Sequence, residues 1–259
     1  MKINKLVKAE IIMFAGEIKS YSLNYIFYNL GLLLIFIGIF YSVNFDGNVN
    51  SLALLYGLIS WQLCNSALSY VTGVIEDEAV MGTLEQIFMT RTKGVSVFIV
   101  KIFIAFVFNL VKSIVLFIIC ALIFDVWDVI YSAGSGNFLI VLITSFVVLS
   151  FGMLGLSFGG LSLFKKKVQP FLNMVSYVLL FFSGITSSLD EMPTWIMTVS
   201  KLLPLTWLQE LIRSILLGRS IISQLAIVMA LSILYSVLGY ATFKYFLNKA
   251  RREGKLGHY

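Results

Sequence analysis

Residues 95–124 read VSVFIVKIFIAFVFNLVKSIVLFIICALIF, an apolar run whose only charges are Lys101 and Lys112. A helix crosses the hydrocarbon of a bilayer in about 20 mainly apolar residues, so this run can span with tilt or project beyond the lipid. Residues 25–43, 52–75, 138–164, 170–189 and 221–247 are further apolar runs of spanning length. The chain is 59% apolar and 12% charged, against about half and a quarter in a soluble domain. Lipid must therefore be part of its solvent. The expected fold is all-α and integral to the membrane, one domain over residues 1–259 with six transmembrane helices.

Basic residues orient the spans. Lys2, Lys5, Lys8 and Lys19 precede the first, Arg91 and Lys93 follow the second, and Lys165, Lys166 and Lys167 follow the fourth. Lys244, Lys249, Arg251, Arg252 and Lys255 close the chain. The other side holds only Lys201, Arg213 and Arg219, together with Asp46, Asp125, Asp128, Asp190, Glu191 and Glu210. Cytoplasmic loops carry the excess of Lys and Arg, so both termini are expected in the cytoplasm of a multi-pass plasma-membrane protein. The formal charge of +6 belongs to this pattern and not to a nucleic-acid surface.

Three segments are not simple spans. In residues 1–22, Ile3, Val7, Ile11, Phe14, Ile18 and Tyr21 recur at steps of three or four among Lys and Glu. That is one face of a helix lying in the inner headgroup layer. Residues 76–94 open with Glu76, Asp77 and Glu78, read as a solvated acidic patch, followed by a short apolar stripe of Leu84, Ile87 and Phe88. A short amphipathic cytoplasmic helix suits a soluble partner; a connector packed on its own protein is the plainer reading. In residues 190–218, Pro193 and Pro204 each suit the first turn of a helix. Trp195 and Trp207 favour the membrane boundary. The segment is expected to form a re-entrant helical hairpin on the outer side, between spans five and six.

No catalytic pattern emerges. His258 is the one histidine, which rules out H-E-x-x-H zinc chemistry, and no G-x-x-x-x-G-K-[ST] loop is present. No catalytic, metal or cofactor-binding residue is assigned. Lys112, with Asn109 one turn earlier, is the deep ionisable candidate, either structural or lining a pathway. Lys101 lies near the inner end of its span, where a lysine can snorkel to water. Gly152, Gly155 and Gly159 form a small-residue stripe that permits close helix approach, within the chain or between copies.

These parts match a family pattern. Glu78-x-x-x-Gly82-Thr83-Leu84-Glu85-Gln86 sits between spans two and three, and Ser183-Gly184 at the end of the fifth. Pro193-x-Trp195, Pro204-Leu205-Thr206, Glu210-Leu211-Ile212-Arg213 and Gly218 follow before the sixth. Over nearly its whole length the chain resembles the membrane subunit of an ABC-2 type ABC exporter, of the bacterial drug, polysaccharide and lipid exporter class. It departs in having Arg91 after Thr90 and no proline soon after Gly184.

The resemblance implies a non-catalytic permease pairing with a second copy, identical or paralogous, and with a separate subunit that binds ATP and Mg. It implies coupling to that ATPase through Glu78, Gly82, Thr83, Leu84, Glu85 and Phe88. Ser183, Gly184, Pro193, Trp195, Pro204, Leu205, Glu210 and Arg213 would shape the outer gate. The cargo would be amphipathic: a drug, antibiotic, lipid or lipid-linked glycan. An ion-coupled carrier or a membrane scaffold or sensor on the same fold are the alternatives; buried carboxylates or interrupted spans in matching halves would mark the carrier.

Overall fold

The computed structural model describes residues 3–43, 48–89, 94–165, 167–186 and 193–253. Lys2, Arg91, Lys93, Lys166, Lys255, Asp46, Asp190 and Glu191 of the charge pattern lie outside the described residues. The described chain is helical throughout: α1 (Ile3–Ser20), α2 (Ser22–Ser42), α3 (Asn48–Val80), α4 (Leu84–Met89), α5 (Gly94–Ile123) and α6 (Trp127–Ala133). They are followed by α7 (Ser135–Ser162), α8 (Gln169–Phe182), α9 (Thr194–Ser200), α10 (Pro204–Leu216) and α11 (Ile222–Arg252). By length and composition, four helices can cross a membrane: α2, α5, α7 and α11.

The other two expected spans differ for physical reasons. The 33-residue α3 is long enough but carries Ser60, Gln62 and Thr72, all buried. Ser60 donates to the Tyr56 carbonyl of its own helix, and neighbouring helices meet Gln62 and Thr72, as burial away from water requires. Gln62 accepts from the Ser113 hydroxyl (3.0 Å), Thr72 donates to the Gly155 carbonyl (3.1 Å), and the Trp61 indole donates to the Ser176 carbonyl (2.8 Å). α8 is apolar but only 14 residues long, starting with Pro170 in its first turn. Helix was expected to residue 189, but it stops at Phe182 because Gly184 sits at φ +74°, a left-handed conformation that interrupts helical bonding.

α7 is the central post, packed most extensively against α3 and α11. The glycine stripe faces partners inside the chain. A Cβ on Gly155 would come within 2.7 Å of the Leu68 carbonyl oxygen, and one on Gly159 within 2.3 Å of Ile75. On the other side of α7, a Cβ on Gly239 of α11 would come within 2.2 Å of the Met153 carbonyl oxygen. Among the described residues, two larger buried cores and two smaller ones result. Of the larger two, one joins Leu55, Leu58, Val147 and Phe151 to Leu205, Leu208 and Ile212 of α10; the other joins Ile75, Leu84, Phe98, Phe243 and Leu247.

α1 is helical as expected, but its apolar residues divide. Phe14 is buried, stacked on Phe108 of α5 at 4.7 Å between centroids, and Val7 and Ile18 pack beside it. Ile11 and Tyr21 are exposed, with Ile12 and Met13, so the apolar surface is shared between protein and surroundings. α1 runs into α2 with only Tyr21 between them.

Candidate functional site

The motif between α3 and α5 is built around one buried cation, Lys101. Lys101 is only 8% exposed; its Nζ lies 3.4 Å from Glu78 Oε1 and 3.8 Å from Glu10 Oε1. Lys101 therefore does not snorkel: Glu10, midway along α1, and Glu78, near the end of α3, supply carboxylates around it. The acidic patch is corrected likewise. Glu76 accepts from the Val168 amide (2.9 Å) at the start of α8, Glu78 faces Lys101, and Asp77 alone of the three is exposed. Burial lifts the Glu10 carboxyl above its ordinary value; Lys101 opposes that lift and the Glu78 carboxylate adds to it.

α3 ends at Val80, and Gly82 at φ +68° makes the turn into α4. Thr83 fixes that turn, its amide donating to the Glu78 carbonyl (3.0 Å) and its hydroxyl to the Glu78 carboxylate. Leu84 is 1% exposed in the second core. Phe88 packs 6.1 Å from the Phe98 ring, with the Arg251 guanidinium 5.0 Å from its centroid. Glu78, Thr83, Leu84 and Phe88 thus point into the protein, and Gly82 and Glu85 point out. Beside those two, Val80, Met81, Gln86 and Met89 are also exposed. The sequence reading missed these methionines because they fall off the Leu84–Ile87–Phe88 stripe; flexible Met side chains are common on docking surfaces.

Replacing Lys101 with methionine leaves two partly buried carboxylates facing each other. The expected loss is about 3 kcal/mol of stability, read as a lower melting temperature in detergent. A Lys101→Met/Glu78→Gln double variant should recover part of it.

The outer motif assembles from the other end of α3, about 38 Å from Glu78 along the helix by rise per residue from Ala53. α10 begins at Pro204 and is buried over Leu205, Leu208, Leu211 and Ile212. Gln209 donates to the Ala53 carbonyl at 3.0 Å. Arg213 bonds with Glu210 at 3.1 Å and donates to the Gly184 carbonyl at 2.8 Å. Ser183 and Gly184, both buried, are thereby tied to Glu210 and Arg213. Pro193 caps α9, and Trp195 is exposed, its ring 6.1 Å from Phe182 of α8; this pair stands apart from the Arg213 cluster. Leu205, at 1% exposure, is a core residue.

Lys112 is partly buried between α2 and α5. Its Nζ lies over the rings of Tyr25 (5.9 Å) and Tyr28 (5.1 Å), on the first two turns of α2. Such contacts are worth about 0.5–2 kcal/mol each. No carboxylate pairs with Lys112 among the described residues. Lys112 and Asn109 line two cavities. An apolar one of about 470 Å³ runs between α2 and α5, and a polar one of about 520 Å³ includes Glu17, Asn24 and Ser66.

Comparison with protein families matches the ABC-2 type transporter family over residues 2–217. Comparison with curated proteins finds no match. The match takes in α1 to α10, and with them both residue clusters. The family is one of transport permease domains, generally non-catalytic, in keeping with long apolar helices organised around α7. The chain is a membrane protein and belongs to the ABC-2 type transporter family.

Proposed function

We propose that this chain is the membrane conduit of an ATP-driven exporter, moving an amphipathic cargo out of the cytoplasm or inner leaflet of the plasma membrane. α2, α3, α5, α7, α8 and α11 are the six spans, both termini are cytoplasmic, α1 lies in the inner interface and α9–α10 dips into the outer leaflet. Two permeases, identical or paralogous, pair around the path and recruit ATP-binding subunits that carry the nucleotide and Mg. The cargo class is drug-like, with antibiotics, lipids and lipid-linked glycans sharing its chemistry. Asn109 and Lys112 belong to the membrane-facing groove and not to the coupling or gating sets.

The observation that carries this reading is the two-sidedness of α4. Outward, α4 and the turn before it offer Met81, Glu85 and Met89; inward they are tied to α3 by Thr83–Glu78, to α5 through Phe88–Phe98 and to α11 through Phe88–Arg251. A force on the exposed face reaches three helices through these contacts. Motion imposed by a motor changes the conduit only if such a stiff element couples them.

Met81→Asp/Met89→Asp is expected to weaken capture of the ATPase subunit about tenfold or more, the scale of one or two hot-spot contacts, while the permease keeps its melting temperature. Co-purification from membranes measures it. Undiminished capture with both aspartates in place would remove the docking assignment.

A further inference from the structure

We infer that the groove between α1, α2 and α5 holds a membrane phospholipid with an anionic headgroup, seated on Lys112. The inference goes beyond export, since it concerns a lipid resident on this chain whatever the cargo is.

A cation at a membrane boundary is ordinarily met by a carboxylate or by water. Lys112 lacks the carboxylate: two tyrosine rings face its partly buried ammonium, and no carboxylate among the described residues pairs with it. Charge complementarity calls for an anion. The surroundings say which kind. On one side of Lys112 the wall is apolar, and Leu30, Val115 and Ile119 in it are 49%, 55% and 40% exposed. An exposed apolar wall beside a cation, in a chain of membrane-spanning helices, suits an anion that arrives with an acyl chain attached. On the other side the cavity is polar, with Asn24, Ser66 and Gln169 able to meet a hydrated headgroup.

Depth agrees. Lys112 is level with Tyr25 and Tyr28 at the start of α2, where Tyr residues favour the headgroup boundary. Glu17 also borders the polar cavity, accepting from the Tyr25 hydroxyl at 3.1 Å. Its carboxylate opposes a highly charged headgroup, so a monoanionic phosphodiester fits better than a phosphomonoester.

The test is native mass spectrometry of the full chain in detergent, titrated with phosphatidylglycerol or phosphatidylcholine of the same acyl chains. Wild type should retain one phosphatidylglycerol about tenfold more tightly than phosphatidylcholine, the scale of one charge-assisted contact. Lys112→Met should erase that preference and Lys112→Arg should keep it. Val115→Trp, which fills the apolar wall, should lower retention of both lipids, and soluble glycerol phosphate should not compete.

Equal retention of the two lipids by wild type, or an unchanged preference in Lys112→Met, would overturn the assignment. Competition by glycerol phosphate would make it a soluble-anion site. A lipid-free dimer that Val115→Trp dissociates would give the groove to a second copy. No motor or nucleotide is present, so failure here leaves the export reading standing, and failure of export leaves this one.

Discussion

Gly239→Leu is expected to abolish folded protein in the membrane. The Cβ alone would sit 2.2 Å from the Met153 carbonyl oxygen and 2.8 Å from the Leu154 nitrogen, both backbone atoms of α7. Overpacking against movable side chains costs about 1–3 kcal/mol; here the obstacle is a neighbouring helix backbone, and α11 must separate from α7 to relieve it. That interface is among the most extensive in the molecule, and its loss rivals a net stability of about 5–15 kcal/mol. Fluorescence-detected size exclusion of a tagged chain should show the monodisperse peak disappear. Gly31→Leu is the control, because a Cβ there meets nothing within 4 Å; its peak should persist.

Arg213→Met should cut transport at least tenfold while the ATPase still binds. Arg213 ties α10 to the turn ending α8 through the Gly184 carbonyl, and pairs with Glu210 on its own helix. Methionine leaves a buried carbonyl and a partly buried carboxylate without their donor, a loss of about 2–3 kcal/mol. The turn at Gly184 then lacks its anchor. Because α4 docks at the far end of α3, capture of the motor should be unchanged. Arg213→Lys should restore little, since an ammonium lacks the planar fork that reaches two acceptors at once. Loss of motor capture together with transport would mean that the Arg213 cluster serves folding as a whole and not the outer end.

Much of the frame could be read from the chain because the determining signals are local. Pro193 and Pro204 mark helix starts whatever lies around them, and the run at 95–124 is helical by length and apolarity alone. What stayed hidden depends on neighbours distant in sequence. Lys101 reads as a snorkelling lysine until Glu10 and Glu78, from α1 and α3, are placed around it. Leu84 and Phe88 look like a docking stripe because an amphipathic face says that something covers it, not what; here the second core does.

The same limit applies outside. Glu210-x-x-Arg213 and Ser183-Gly184 are separate motifs on paper, and only the folded chain brings the guanidinium to the glycine carbonyl. Gly239 carries no pattern at all in sequence, being one glycine in a 31-residue helix; its role follows wholly from where α7 passes.

The central claim is that force enters from a separate motor on the inner face. It is tested most directly in proteoliposomes holding the purified chain, with and without its ATP-binding subunit, by following extrusion of amphipathic dyes. The account predicts no nucleotide consumption and no dye movement from the chain alone, with both appearing once the motor is added and both lost in Met81→Asp/Met89→Asp. Vectorial dye movement by the isolated chain under an ion gradient would contradict it.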